Sequence, residues 1–384
     1  VDVLISLAIS QEPKYFRKGW GDLSVPLQLL EKMESDIEKG KGERGLILKE
    51  KSITWKEYPL DKEVSKTIVA KEGRFLSPIA EALPKEAQHC NFVFIEPVPH
   101  HQATERVVKE DFQPIVIMLP GTGESSFTIR LEMAKDLAEK YGYSSVLPTV
   151  PFLGKRSPRD QERFFIDSVE SMALQSFGSM REAAALALFF LNRNKRNRVC
   201  LSGFSFGGAI ASCASSMCLI ADADGRRLAC ASYAGCSSPA VICDGAFSRM
   251  IDWDALMVKN QQGKDCSRDE MIRSLKQDVS NYLDKFSLPL LVQGHIALEK
   301  KRRRKNRQAA VCAAIMRDDQ IICQKRGRDL IGDLQMGVSS DSDNDVFSVY
   351  QLPGGHVLGA IVRSRYQKML IVEAMERIKE PSKR

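Results

Sequence analysis

Residues 203–208 read Gly-Phe-Ser-Phe-Gly-Gly, a G-x-S-x-G pattern that could present a nucleophilic serine. The apolar run Val199–Leu201 precedes the pattern, and the small, helix-compatible residues Ala209–Ser212 follow it. A serine on a tight strand-to-helix turn is exposed at the carboxyl end of a sheet, and glycines let strand and helix approach each other there. The pattern therefore predicts Ser205 as a nucleophile. The competing interpretation is a glycine-rich turn whose serine only caps the helix.

A serine becomes a good nucleophile when a base, usually histidine, takes its proton. Of the five histidines, only His295 and His356 follow Ser205 in the chain. His356 ends the segment Leu-Pro-Gly-Gly-His, between the strand-like run Val346–Tyr350 and a helical pattern at about 360–378. A histidine on such a loop can swing over a serine, so we predict His356 as the base. The alternatives are a solvent-facing His356 and a base at His295, beside the charged run 299–307.

The carboxylate that orients the histidine should follow a strand between Ser205 and His356. Residues 309–316 form the one clean buried-strand run in that interval, and Arg317-Asp318-Asp319 comes directly after it. We predict Asp318 as the acid and keep Asp319 as the alternative. The competing interpretation is that both carboxylates cap the helix expected at 320–330.

A second glycine turn could supply half of an oxyanion hole. Pro114–Leu119 resembles a buried strand, and Pro120-Gly121-Thr122-Gly123 links it to a helical pattern at 124–140. Backbone N–H groups in such a turn point at an anion. We predict the N–H groups of Thr122 and Phe206 as the donors. A phosphate-binding loop is excluded because the chain has no G-x-x-x-x-G-K-[ST] segment.

The remaining apolar runs alternate between strand and helix patterns. Further strands are expected at 92–95 and 144–148, an apolar helix at 180–191 and a helical insertion at about 247–288. This order predicts an α/β fold with a mostly parallel sheet, helices on both faces and a lid-like insertion. We place a helical N-terminal lead-in at residues 1–72, packed on the core, and the catalytic domain at residues 73–384.

Several motifs resemble those of a known family, and they cover nearly the whole chain. They are Arg17–Gly21, Phe75–Pro78, Leu119–Gly123, Pro151–Gln161, the serine turn, Ile251–Trp253, Arg317–Asp319 and Gly354–His356. The chain resembles the α/β-hydrolase superfamily and, more narrowly, its eukaryotic branch called α/β-hydrolase domain-containing protein eighteen. The glycine turns are common to the superfamily, whereas the segment Pro151–Gln161 is more specific to the branch. The resemblance implies that Ser205, Asp318 and His356 are nucleophile, acid and base. The chain departs from the branch at Ala209, Glu124–Phe127 and Ile322, which concerns the substrate pocket more than the chemistry.

Apolar side chains near Ser205 indicate the substrate. We expect Gly121, Gly123, Phe127, Phe152 and Phe204 to line the pocket, although core packing would explain the aromatic residues equally well. The function predicted is hydrolysis of an ester or thioester, with acyl lipids as substrates. The alternative is a catalytically silent relative that binds a lipid or a protein partner.

Composition limits the remaining possibilities. The chain has 384 residues, 43% of them apolar, which suffices for a large core, and no apolar run long enough to cross a membrane. Its ten cysteines lie mostly in apolar runs without a C-x-x-C pair. This usage favours a reducing intracellular compartment and excludes a typical zinc site. Because the chain does not begin with Met, organelle targeting stays open. No cofactor or metal is expected.

A basic run, Lys300–Arg307, carries much of the net charge of +7. Nuclear import, nucleic-acid binding, contact with an anionic membrane and a solvated loop are the four interpretations. No aromatic residues interleave with the run, so we expect no nucleic-acid partner. Peripheral membrane contact through residues 300–307 remains a candidate interaction beside the small-molecule or lipid ester substrate.

Overall fold

A nine-stranded sheet is the centre of the fold. The computed structural model describes residues 15–39, 46–61, 64–98, 113–221, 227–257, 267–289, 291–294, 309–336 and 347–378. The strands are β1 Thr54–Glu57, β2 Ile68–Leu76, β3 His89–Pro97, β4 Gln113–Leu119, β5 Ser144–Pro148, β6 Asn197–Phe204, β7 Leu228–Tyr233, β8 Ala310–Met316 and β9 Phe347–Leu352.

The sheet is mostly parallel, as predicted. Its strands lie in the order β1-β2-β3-β5-β4-β6-β7-β8-β9. The three pairs that join β1, β2, β3 and β5 are antiparallel, whereas all pairs from β5 to β9 are parallel. Parallel strands are usually buried on both faces, which explains why β4 and β8 are almost continuous apolar runs in the sequence.

Helices cover both faces of the sheet, which confirms the predicted layers. They are α1 Ser24–Glu38, α2 Thr128–Tyr141, α3 Val169–Arg193, α4 Phe206–Ile220, α5 Trp253–Met257, α6 Arg268–Leu283, α7 Gln324–Met336 and α8 His356–Arg377. Successive side chains of a strand point to opposite faces. Accordingly, Ile115 and Ile117 of β4 pack with α3 and α4, whereas Val116 and Met118 pack with α2 and α8.

The N-terminal boundary differs from the prediction. Residues 1–72 contain α1, which packs on the core through Leu30 and Met33, but also β1 and the start of β2. A domain boundary at residue 72 would therefore cut through a strand of the sheet. These strands were not recognised in the sequence because β1 is the edge strand of the sheet and β2 lies next to it, where exposed polar residues such as Lys71 and Arg74 interrupt the apolar pattern.

The predicted insertion at 247–288 lies between β7 and β8 and is helical where it is described. It comprises α5, α6 and short 3-10 turns at Phe247–Met250 and Asp284–Phe286. Residues 258–266, in its middle, lie outside the described residues.

A strap at residues 15–22 ties the insertion to the rest of the fold. The N–H of Tyr15 donates to the carbonyl of Met250, and the N–H of Asp252 donates back to Tyr15. The side chains of Arg17 and Lys18 pair with Asp167, at 2.6 and 2.8 Å. Trp20 also donates its indole N–H to the carbonyl of Leu256 in α5, at 3.1 Å, so the motif Arg17–Gly21 lies against the helix that begins within the motif Ile251–Trp253.

The segment Pro151–Gln161 is fixed on α3 by a buried ion pair. Both terminal nitrogens of Arg156 donate to the carboxylate of Glu182, at 2.7 and 2.6 Å. Arg156 also donates to the carbonyls of Thr149 and Ala87. Removing one partner of a buried pair leaves the other charge buried without a counter-charge. The resulting loss of stability is larger than the net stability that the pair contributes.

Glu182→Gln is therefore expected to lower the free energy of unfolding by about 3–5 kcal/mol. The measurement is urea denaturation followed by circular dichroism. The pair of Lys56 and Glu72, 2.8 Å apart at the protein surface with an exposed Lys56 and a half-buried Glu72, supplies the control, because Glu72→Gln should cost less than about 1 kcal/mol. Equal losses in the two variants would contradict the special cost assigned to the buried pair.

Candidate active site

Ser205 occupies a sharp turn between β6 and α4. Its φ of +55° and ψ of −120° lie in a region that side-chain-bearing residues rarely adopt. The approach of strand and helix explains the flanking glycines: a Cβ on Gly203 would lie 2.2 Å from the carbonyl carbon of Gly207. A Cβ on Gly207 would lie 2.6 Å from the carbonyl oxygen of Leu119, at the end of β4. The turn has the strained geometry expected from the sequence pattern.

The structure places His356 against Ser205. His356 is the first residue of α8, not part of a free loop, and Pro353–Gly355 link it to β9. Its Nε2 lies 2.9 Å from Ser205 Oγ. The ring of Phe204 packs on the imidazole, with 4.8 Å between ring centres. The other candidate base, His295, lies outside the described residues, as does the basic run 300–307.

Asp319, not Asp318, contacts the histidine. The Oδ2 of Asp319 lies 2.7 Å from His356 Nδ1, and its Oδ1 accepts the N–H groups of Ile321 and Ile322, at 2.9 and 2.8 Å. Asp318 is exposed, and its Oδ2 accepts the N–H of Gly354 at 3.0 Å. The prediction of Asp318 is thus corrected. The chain turns directly after β8, so neighbouring carboxylates point in different directions, and only Asp319 points inward.

The three side chains Ser205, His356 and Asp319 are almost completely buried, with exposed fractions of 4%, 6% and 5%. Bulk water therefore competes little for the two hydrogen bonds that join them. The imidazole has a hydroxyl on one nitrogen and a carboxylate on the other. This arrangement can take a proton from the serine while the carboxylate stabilises the resulting positive charge.

The predicted oxyanion donors lie at the same cavity as Ser205, which Thr122, Gly123 and Phe206 all line. Phe206 is the first residue of α4, a position whose N–H has no acceptor within its own helix. Among the described residues, neither its N–H nor that of Thr122 donates a hydrogen bond. Both donors are therefore available to an incoming oxygen atom.

A mostly apolar cavity begins at Ser205. The strap, α3, α4 and the insertion all contribute to its wall. Large apolar side chains on this wall include Leu153, Phe164, Met172, Met180, Ile210 and Phe247.

Most of the predicted pocket residues lie elsewhere. Gly123 lines the cavity, but Gly121, Phe127, Phe152 and Phe204 do not. Phe127 packs against the guanidinium of Arg130, Phe152 is buried in the core, and Phe204 supports the imidazole. A Cβ on Gly121 would touch Phe204 at 3.3 Å, so this glycine serves close packing.

Some of the cavity residues that were not predicted from the sequence lie on one face of α3. Met172, Gln175, Ser176 and Met180 recur at helical spacing and line one side of the cavity. The signal was present as a 3.6-residue period, but the predicted helix began at residue 180, so the period was cut short.

Two thiols also line the cavity, at Cys213 and Cys236. Burial raises the pKa of the Cys236 thiol to about 12, and it also raises the pKa of the Cys213 thiol. Because only the thiolate is a strong nucleophile, these cysteines do not compete with Ser205 at neutral pH.

A charged cluster that sequence reasoning missed lies behind the glycine turn. Glu124 contacts both Arg130 and Arg363 at 2.5 Å. Burial raises the pKa of the Glu124 carboxyl, but the charges of Arg130 and Arg363 outweigh this effect and hold the pKa below its ordinary value. The carboxylate is therefore ionised at neutral pH.

Neither a metal site nor a membrane span is found in the part of the chain that the structure describes. There, no group of three or more His, Cys, Asp or Glu side chains could hold a metal ion. No described helix combines the length and the apolar character needed to cross a bilayer.

Solved structures similar to this chain include two kinds of hydrolase. One is acylaminoacyl peptidase from Pyrococcus horikoshii, at 11% identity and a TM-score of 0.47, covering 85% of this chain and 45% of the peptidase. The other is a cold-adapted esterase from an Arctic intertidal metagenomic library, at 13% identity and a TM-score of 0.44, covering 85% of this chain and 100% of the esterase. The chain thus spans less than half the length of the peptidase.

The family comparison covers nearly the whole sequence. The model of the family described as "Alpha/beta hydrolase domain containing 18" matches residues 13–377. This range includes every strand of the sheet and all three side chains of the hydrogen-bonded set at Ser205. The chain therefore belongs to the alpha/beta hydrolase domain containing 18 family and is an α/β-hydrolase in fold.

Proposed function

We propose that the chain is a serine hydrolase that cleaves an ester or thioester of an acyl lipid. The observation that carries the proposal is the continuous set of hydrogen bonds from Asp319 through His356 to Ser205. In the proposed reaction, Ser205 Oγ attacks the carbonyl carbon while His356 Nε2 takes its proton. Asp319 holds the imidazole in the required tautomer and stabilises its positive charge.

The oxygen of the tetrahedral intermediate would accept the N–H groups of Thr122 and Phe206. These donors lie on two different turns and need no reorganisation when the charge develops, which is the main advantage of an oxyanion hole. His356 then returns its proton to the leaving alcohol or thiol. A water molecule, deprotonated by the same imidazole, attacks the acyl-enzyme and releases the acid.

The proposed acyl substrate follows from the cavity. An alkyl chain would lie against the apolar wall formed by Met172, Met180 and Ile210, where it would be removed from water. Phe247 and Phe286 of the insertion also line this wall, so we propose that the insertion is a lid over the bound alkyl group.

Ser205→Ala is expected to abolish labelling by a fluorophosphonate probe and to lower ester turnover by at least about 10⁴-fold. The measurement is in-gel fluorescence of the purified chain, with wild-type protein treated in parallel. Because probe labelling requires an activated serine, an unlabelled wild-type chain would favour the catalytically silent relative instead. Unchanged labelling of the alanine variant would remove Ser205 from its role.

The two neighbouring carboxylates give a matched pair of variants. Asp319→Asn should lower kcat by on the order of 10⁴-fold, because the amide cannot hold the correct histidine tautomer. Asp318→Asn should change kcat by less than about threefold, because the Asp318 side chain only accepts a backbone N–H on the surface. Steady-state kinetics with a chromogenic ester would test both, and equal losses would refute the assignment of Asp319.

An ester series of increasing acyl length tests the substrate class. Each buried CH₂ contributes about 0.8 kcal/mol, so kcat/KM should rise by less than about fourfold per methylene until the cavity is full. Met172→Trp should move the optimum to shorter chains by adding bulk to the wall, and turnover of an acetyl ester is the internal control. A flat profile, or a preference for polar acids, would argue against lipids and leave the serine chemistry untouched.

A further inference from the structure

Glu124 connects the first glycine turn to two buried arginines. Its Oε2 accepts the N–H of Gly121, at 3.2 Å, and also the Nη1 of Arg363, at 2.5 Å. Its Oε1 accepts the Nε of Arg130, at 2.5 Å. Gly121 is the residue before Thr122, so the position of this carboxylate bears directly on the backbone of the proposed oxyanion donor.

Arg130 fixes the cluster to the sheet. It lies on α2 with an exposed fraction of 2%, and its Nη1 donates to the carbonyls of Met118 and Pro148, at 2.9 and 2.8 Å. These carbonyls belong to the next-to-last residue of β4 and to the last residue of β5, and the two strands pair in parallel. Glu124 and Arg130 therefore fix the position of the glycine turn relative to strands β4 and β5.

Arg363 reaches the other half of the site. It lies on α8 about two turns after His356, with an exposed fraction of 4%. Its Nε donates to Gln367, whose amide donates in turn to Ser202 of β6, at 3.0 Å. Its guanidinium also lies 5.5 Å from the ring centre of Phe204, the ring that packs on His356.

One carboxylate therefore contacts both the turn that carries Thr122 and the helix that begins with His356. Charges in such a dry environment interact strongly, and each has few alternative partners. A buried ionic cluster contributes little stability over a well-packed apolar one. The more important effect of the cluster is that it fixes the position of the glycine turn relative to α8.

We propose that Glu124 is a positioning residue that fixes the oxyanion turn and, through Arg363, sets this turn relative to His356. The inference rests on the proposed serine-hydrolase function and goes beyond it, because Glu124 belongs neither to the triad nor to the pair of oxyanion donors. A positioning role means that Glu124 acts on the transition state and not on the binding of the acyl chain.

The test compares Glu124→Gln with the wild-type chain. The amide keeps the size of the side chain but leaves Arg130 and Arg363 without a counter-charge, so the turn loses its anchor. A misplacement of about 1 Å, or the loss of one oxyanion donor, costs on the order of 10²-fold. We expect kcat to fall by about that factor with KM changed less than about threefold. The affinity for a trifluoromethyl ketone, which forms an oxyanion with the serine, should fall in proportion to kcat.

Arg363→Met is the second variant and keeps the test open if Glu124→Gln does not fold. It removes the link to α8 but leaves Glu124 paired with Arg130. As for Glu124→Gln, we expect kcat to fall while KM changes little. The double variant should lose less than the product of the two single losses, because both substitutions break one unit.

Glu182→Gln is the matched control, because it also removes the charge of a carboxylate buried against arginine. It should lower stability without a comparable loss of kcat per folded molecule. A kcat within about threefold of wild type in Glu124→Gln, a loss confined to KM, or an equal loss of kcat in Glu182→Gln would overturn the positioning role. Absence of fluorophosphonate labelling in the wild-type chain would overturn the proposed function itself and, with it, this role.

Discussion

The close approach of β6 and α4 at Ser205 is the constraint on which the rest of the site depends. The backbone of Gly207 leaves no space for a side chain on Gly203, and the end of β4 leaves none for a side chain on Gly207. Ser205 consequently takes a backbone conformation that costs of order 1–3 kcal/mol and persists only because the sheet around it is rigid. Core packing on both faces of β4 and β6 supplies that rigidity.

The parallel strands then bring distant segments to one edge. Ser205 follows β6, Asp319 follows β8, and His356 follows β9, so the hydrogen-bonded set spans 151 positions between serine and histidine. Thr122 follows β4, the neighbour of β6. The carboxyl ends of parallel strands lie at one edge of the sheet. The sheet alone therefore brings together four loops that are far apart in sequence.

Much of the sheet and the chemistry could be predicted from the sequence. The glycine turn follows the apolar strand β4, the serine turn follows the short apolar run Val199–Leu201, and His356 follows the strand-like run Val346–Tyr350. The choice between Asp318 and Asp319 could not be made in this way. It depends on how the chain turns after β8, where the N–H groups of Ile321 and Ile322 fix one oxygen of Asp319 and leave the other for the imidazole. Strand periodicity carries no information about such a turn.

The cavity at Ser205 could be predicted least, because its wall combines segments that share no local pattern. Tyr15 of the strap lines the cavity and bonds through its backbone to Met250, beside Phe247. The next residue, Phe16, donates its N–H to Ile166, another residue of the wall. The strap thus holds two separate segments of the wall in place. The two parts of the site are consequently encoded apart. Short motifs at strand ends carry Ser205, Asp319 and His356, whereas the shape of the cavity depends on long-range backbone contacts.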